Sequence, residues 1–223
     1  VWNYCDIVHS EPYTEVVDNI QTMPGAKWFR GAKLNFAENL LRFRDDRVAI
    51  KFKSEDKLVR ELTYLELFRE VEKVSNYLRE LGVQKGDRVV GFLPNVPEAV
   101  VAMLATSSLG AIWSSCSPDF GTNGVLDRFS QIEPKVIFSA DGYQYNGKYY
   151  DSLKKLNGVL KELPTVQKVI LIDNHNSDKI NPKFEFISYQ EILECTPNPL
   201  QFEQLPFDHP LYIMYSSGTT GLP

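Results

Sequence analysis

Short, largely apolar runs at Arg88–Leu93, Ala111–Cys116, Val136–Ser139, Val169–Ile172 and Leu211–Tyr215 punctuate this chain, and helical patterns lie between them. Apolarity that is nearly continuous, rather than alternating, marks a strand buried on both faces. Between the first two runs, Pro97-Glu98 opens a helix that extends to about Leu109. Proline suits its first turn and the carboxylate suits its positive end. Ala99, Ala102, Ala105 and Ser108 keep one side of that helix small enough to pack closely on a sheet. A helix over Val125–Ile132 stops before Pro134, and Asp151 is placed to cap another carrying Leu153, Leu156, Leu160 and Leu163. Strand–helix alternation with short connections implies right-handed crossovers. The chain is therefore expected to be α/β, with a doubly wound, mostly parallel sheet flanked by helices.

Upstream, Val48–Phe52 and Leu58–Leu62 read as a hairpin. Thr63 then opens a helix: Thr63 and Glu66 have capping-box spacing, and Leu67, Val71, Val74, Leu78 and Leu81 form one apolar stripe. Gly82 is placed to end it in the left-handed conformation. Residues 1–45 are aromatic-rich and broken by Pro12, Pro24, Gly25 and Gly31, which suggests an N-terminal extension over an α/β domain spanning 46–223. Within it, Asn35 caps a short helix with Phe36, Leu40 and Phe43 on one face, and Trp28-Phe29 reads as a core anchor. After Asp173 the chain is polar to about 183. Phe184–Ile187 then reads as a strand, and Ser188 and Glu191 again show capping-box spacing. The stretch 196–210, with four prolines, reads as irregular.

A length of 223 residues that is 43% hydrophobic can bury a substantial core. The net charge of −5 argues against a general nucleic-acid binder, because no basic excess exists to neutralise a phosphate backbone. Cys5, Cys116 and Cys195 are spaced for neither a disulfide framework nor a zinc site, so buried reduced thiols in a reducing compartment such as the cytosol are expected. No run approaches the roughly 20 apolar residues of a membrane span. His9, His175 and His209 share no ligand spacing, Asp119 and Asp127 read as capping or surface groups, and Trp113 reads as core, with the lining of a substrate pocket as the alternative. A first residue of Val1, and a functional-looking loop at the other end, suggest a portion of a longer chain.

That loop, Ser216-Ser217-Gly218-Thr219-Thr220-Gly221, follows the last apolar run. Hydroxyls and backbone N–H groups are donors, and glycine lets the backbone press against a ligand. A triphosphate matches such a surface, although it is not a Walker A loop, and a plain surface loop is the competing reading.

Tyr215-Ser216-Ser217-Gly218-Thr219-Thr220-Gly221-Leu222-Pro223 closely resembles the phosphate-binding signature of the adenylate-forming superfamily. Phe207–Met214 resembles its lead-in strand, Lys85–Asn95 its first core strand and turn, and Pro97–Ile112 its buried helix and following strand. Lys27–Leu41 and Ala111–Gly121 resemble the acyl-CoA synthetase branch that acts on short carboxylates. The resemblance implies ATP-dependent conversion of a short acid to its acyl-adenylate and then its CoA thioester, with Mg2+ required. Acetoacetate is the first candidate, and an acetate- or propionate-type acid comes next. A non-catalytic nucleotide-binding or interaction module of the same fold is the alternative from another class. Ser216, Ser217, Gly218, Thr219, Thr220 and Gly221 would hold the ATP phosphates. In Tyr145-Asn146-Gly147-Lys148, Gly147 and Lys148 resemble a CoA-phosphate contact of reduced basic content, against a plain surface loop. Adenine, ribose and magnesium contacts, a C-terminal domain and a catalytic lysine are expected beyond residue 223, so residues 1–223 alone are expected to be inactive.

Overall fold

Arg88–Phe92 is shielded almost completely along its length because both faces of its sheet are covered. The computed structural model describes residues 1–55, 59–174 and 183–216. In chain order, β1 (Glu15–Val17), β2 (Trp28–Arg30) and β3 (Lys33–Leu34) precede α1 (Phe36–Leu40), and β4 (Val48–Lys53) and β5 (Val59–Thr63) form a hairpin before α2 (Tyr64–Glu80). Then come β6 (Arg88–Phe92), α3 (Pro97–Ser108), β7 (Ile112–Cys116), α4 (Thr122–Phe129) and β8 (Val136–Ala140). A second hairpin, β9 (Gly142–Tyr145) and β10 (Lys148–Asp151), leads into α5 (Leu153–Glu162) and β11 (Lys168–Ile172). Last are β12 (Ile187–Ser188), α6 (Tyr189–Glu194), β13 (Leu205–Pro206) and β14 (Tyr212–Ile213).

The central sheet has six strands in the order β12-β11-β8-β6-β7-β14, and every pair in it is parallel. Alternate residues of the same strands enter two cores. Val89, Trp113, Phe138 and Ile170 meet α2, α3 and α6 on one face, whereas Val90, Phe92, Ile137 and Val169 meet α4 and α5 on the other. This is the doubly wound arrangement expected of continuous apolar strands.

Local signals fare unevenly. Thr63 forms both halves of a capping box with Glu66, and Gly82 follows α2 at φ +74°. Ser188 caps α6 by accepting only the Gln190 N–H. The fourth helix starts at Thr122, three residues earlier than its apolar pattern suggests, with Gly121 as a cap that offers no side-chain bond. Asp151 is not the α5 cap. It ends β10, and its carboxylate accepts the Leu153 N–H at 2.7 Å while Ser152 occupies the cap position. The expected strand at Phe184–Ile187 is only Ile187–Ser188, and in the irregular 196–210 stretch β13 pairs with β3.

Three further expectations change. Trp28 is 42% exposed and is no core anchor. In β2 neighbouring side chains point to opposite sides, and it is Phe29 that joins the rings of Trp2, Tyr13 and Phe207. Of the three thiols, all free, only Cys116 is buried, and Cys195 is exposed. The run at Leu211–Tyr215 is not a buried strand. Among the described residues only Tyr212–Ile213 pairs, in parallel with β7, and Met214 beyond it is 85% exposed.

Candidate functional site

In open α/β sheets, ligands gather outside the carboxyl ends of the strands, where the chain must turn and backbone groups lie free. A cleft of about 610 Å³ occupies that position beyond β7 and β14. One wall is the first turns of α3, where Ala99, Val100 and Met103 present the small and flexible side chains that the helix sequence supplies. The floor is Trp113 to Cys116, and the opposite side is Phe120, Arg128 and Tyr212 to Tyr215.

The floor depends on a close approach within the sheet. A Cβ on Gly91 would lie 2.8 Å from Trp113 Cζ2 and 2.9 Å from Cη2, so the indole sits where only glycine leaves room. Trp113 is 6% exposed and contacts Phe138, yet it also lines the cleft, so it serves core and cavity together. The edge strand is tied down by its neighbours. Trp113 N–H donates to Leu211 O at 3.1 Å, and Ser114 Oγ donates to Ile213 O at 2.9 Å. Tyr215 Oη donates to the Arg128 carbonyl at 2.9 Å. Burial pushes the Tyr215 phenol above its usual range, and it pushes the Cys116 thiol up to about 11. Both therefore stay protonated at neutral pH.

Tyr215 leads straight into Ser216, which is exposed at the end of the described segment. The other expected phosphate-loop residues, Ser217, Gly218, Thr219, Thr220 and Gly221, lie outside the described residues.

The second expected contact is on a different element. Asn146 and Gly147 form the tight turn of the β9–β10 hairpin at φ +51° and +69°, as an Asn-Gly pair does in a two-residue hairpin loop. The Glu55 carboxylate accepts the Asn146 N–H at 3.0 Å and the Gly147 N–H at 3.1 Å. Those backbone donors are thus engaged internally, and Lys148 is an exposed cationic residue at this turn. None of residues 145–148 lines the cleft. Lys155, on α5, instead links toward it by donating to Pro118 O at 2.7 Å.

Arg128 escaped the sequence reading. One signal was present: Val125, Arg128 and Phe129 fall on one face of α4, so a charge sits in an otherwise apolar stripe. His209 Nε2 lies 2.8 Å from Gly110 O, and His175 is outside the described residues. Among the described residues no group of His, Cys, Asp or Glu is arranged to hold a metal ion, and no helix is long and apolar enough to cross a membrane.

A model of the AMP-binding enzyme family matches residues 36–223. The chain belongs to that family. The acetoacetyl-CoA synthetase of Macaca fascicularis is 50% identical over 233 aligned residues, covering all of this chain and 34% of that protein. That of Danio rerio is also 50% identical, covering all of this chain and 35% of its own length. Among solved structures, the acetoacetyl-CoA synthetase from Streptomyces lividans superposes with a TM-score of 0.92 at 44% identity, again over the whole of this chain and 34% of that one. The chain thus spans about a third of the length of the relatives it matches. At that likeness the six-stranded parallel sheet is the framework this chain shares with the family.

Proposed function

We propose that this chain belongs to an acid–thiol ligase that activates a short carboxylate, acetoacetate first, with ATP and passes the acyl group to CoA. What carries the reading is the 50% identity to acetoacetyl-CoA synthetases along the entire chain. The cleft supports it, because it ends on Tyr215, the residue that introduces the hydroxyl-rich loop.

In the first step a carboxylate oxygen attacks the α-phosphorus of ATP, the bond to the β-phosphate oxygen breaks, and pyrophosphate leaves. In the second, the CoA sulfur attacks the acyl carbonyl carbon, the bond to the phosphate oxygen breaks, AMP leaves, and the thiol proton passes to solvent. Both reactants of the first step are anions, so donors must offset repulsion and stabilise charge on the departing pyrophosphate. Ser216, Ser217, Thr219 and Thr220 would supply hydroxyl donors, and Gly218 and Gly221 would let backbone N–H groups approach. Mg2+ supplies charge neutralisation to bound polyphosphate, but the described residues offer no ligand cluster for it. Lys148 is proposed as a CoA-phosphate contact, with Gly147 shaping its turn. Residues 1–45 are proposed as an extension over the 46–223 domain, and the cytosol as the compartment. An acetyl- or propionyl-type substrate, or a module that binds without catalysis, would leave the same framework.

Hydroxamate formation from ATP, hydroxylamine and a panel of short acids, using the full-length protein, separates these readings. Acetoacetate is expected to give the most product. Product from acetate or propionate in its place would reassign the acid, and none with any acid would favour the non-catalytic module. Replacing Thr219 and Thr220 by valine is expected to slow pyrophosphate exchange by roughly 1.5–3 kcal/mol per lost phosphate bond. Wild-type exchange in the folded double variant would remove the loop from the mechanism.

A further inference from the structure

Arg128 brings a permanent charge into the cleft wall. A guanidinium does not lose its proton at any working pH, so burying one calls for a counter-charge nearby. Arg128 is only 9% exposed, lines the cleft, and takes part in none of the ion pairs found among the described residues. Its side-chain hydrogen bond there runs from Nη1 to Gly124 O at 2.6 Å, a neutral acceptor one turn back on its own helix. The guanidinium carbon lies 4.2 Å from the Phe120 ring centroid and 5.6 Å from that of Tyr215. Aromatic faces attract a cation but do not neutralise it. Three weakly acidic groups line the same cleft, Cys116, Tyr212 and Tyr215, and none supplies a negative charge, burial raising the Tyr212 phenol as well. Burial holds the Cys116 thiol up to about 11, although Arg128 pulls the other way, and burial raises the Tyr215 phenol too.

Other shielded charges in this protein are treated differently. Glu98, 4% exposed, has Arg60 at 2.7 Å, and Lys135 has Asp87 at 3.0 Å. Arg128 is instead held in place from two sides, by its own helix and by the Phe120 ring, with the rest of its five-donor fork uncommitted among the described residues. A planar fork held in this way matches the paired oxygens of a carboxylate or phosphate.

We infer that Arg128 is an anion-binding residue of the cleft, taking an oxyanion of an incoming substrate as the counter-charge that the described residues do not supply. The reading of the activity above bears on this only in naming two sources of that oxyanion: the carboxylate of the acid, or the phosphates of the nucleotide.

The test uses the full-length protein and two probes, sodium acetoacetate and sodium pyrophosphate, titrated separately by calorimetry into wild type, Arg128→Met and Arg128→Lys. Arg128→Met is expected to melt, without ligand, at or above the wild-type temperature, because a long apolar side chain replaces an uncompensated charge. It is expected to lose about tenfold or more in affinity for one of the two anions, and the anion affected identifies the source. Arg128→Lys keeps the charge without the fork and should recover part of the loss. Wild-type affinities for both anions in Arg128→Met would overturn the proposal, as would a wild type that binds neither. A lower melting temperature with both affinities intact would mark a merely structural arginine and overturn it as well. Should Arg128→Met not fold, unchanged affinities in Arg128→Lys would count against the proposal and a loss for one anion would support it. Absence of any acyl hydroxamate would sink the ligase reading without touching this comparison, since anion affinity needs no turnover.

Discussion

Asn35 is fully buried and uses both ends of its amide. Its Oδ1 accepts the N–H groups of Ala37 and Glu38, which is the cap its position in the sequence suggests. Its Nδ2 donates to Ser107 O at 3.0 Å, Ser108 O at 3.2 Å and Glu203 O at 2.8 Å. Two of these carbonyls belong to the last turn of α3, where Ser107 O also accepts the Gly110 N–H at 3.1 Å and Ser108 O the Glu203 N–H at 2.8 Å, so the amide is a second donor that ties the helix end to α1. Asn35→Ala therefore removes a cap and all three bonds that the amide donates to backbone carbonyls. It should cost about 2–4 kcal/mol in urea unfolding, and a loss below 1 kcal/mol would mean that water replaces the amide. The cap was legible in the sequence. The second role was not, because it joins residues 72 and 168 positions apart. Gly91 makes a similar point. A strand glycine reads as a weak spot, but here the Trp113 indole occupies the space of its Cβ. Gly91→Ala should destabilise by roughly 1–3 kcal/mol and shift the Trp113 fluorescence, since the floor of the cleft must move. An unchanged spectrum would show that the strand yields instead.

Among elements, α2 is the one most completely specified by local sequence. Its capping box, apolar stripe and terminal glycine all act within the helix itself, and all three are realised. Thr63→Ala should cost about 1 kcal/mol. What α2 packs against is set from afar. Glu70 on this helix accepts from Tyr189 Oη at 2.9 Å, and burial raises its carboxyl above the usual glutamate range, the tyrosine hydrogen bond opposing the shift. A raised folded pKa means that the native state binds more protons than the unfolded chain. The stability this group contributes is thus fully present below the ordinary glutamate value of roughly 4.3 and is lost as pH rises through the raised one. Glu70→Gln should keep a hydrogen bond to Tyr189 and remove that loss. Its stability relative to wild type should then increase from pH ~4 to pH ~7, as read from urea midpoints; a constant difference would exclude Glu70 as the source. A neighbouring pair carries the larger penalty. Glu98 in the first turn of α3 is 4% exposed, with Arg60 of β5 at 2.7 Å and Oε2 left without a partner. Arg60→Ala strands that carboxylate and should cost about 3–5 kcal/mol.

For the whole molecule, the strand–helix alternation was enough to specify a parallel, doubly wound sheet, because two-sided burial leaves a continuous apolar trace in each strand. Element ends and partners were harder to read. The Asn146-Gly147 pair was a visible turn signal, yet the hairpin it closes is clamped by Glu55, about ninety residues earlier. The pairing of β14 with β7 could not be seen from an apolar run, since hydropathy reports how greasy a strand is and not which neighbour it has. At this scale we predict that residues 1–223 alone give no pyrophosphate exchange while the full-length protein does, because the matched relatives are about three times as long. Measurable exchange by the shorter chain would refute this. By itself, the sequence determined the fold class and the best-capped helix, both of which depend on residues adjacent in the chain or one turn apart. Only the tertiary structure decided that Trp113 is floor as well as core, that Asn35 ties α1 to the end of α3, and that Arg128 lines a cleft with no counter-charge among the described residues. Each of these depends on groups distant in sequence meeting in a space from which water is excluded, where an unmatched shape or charge costs most.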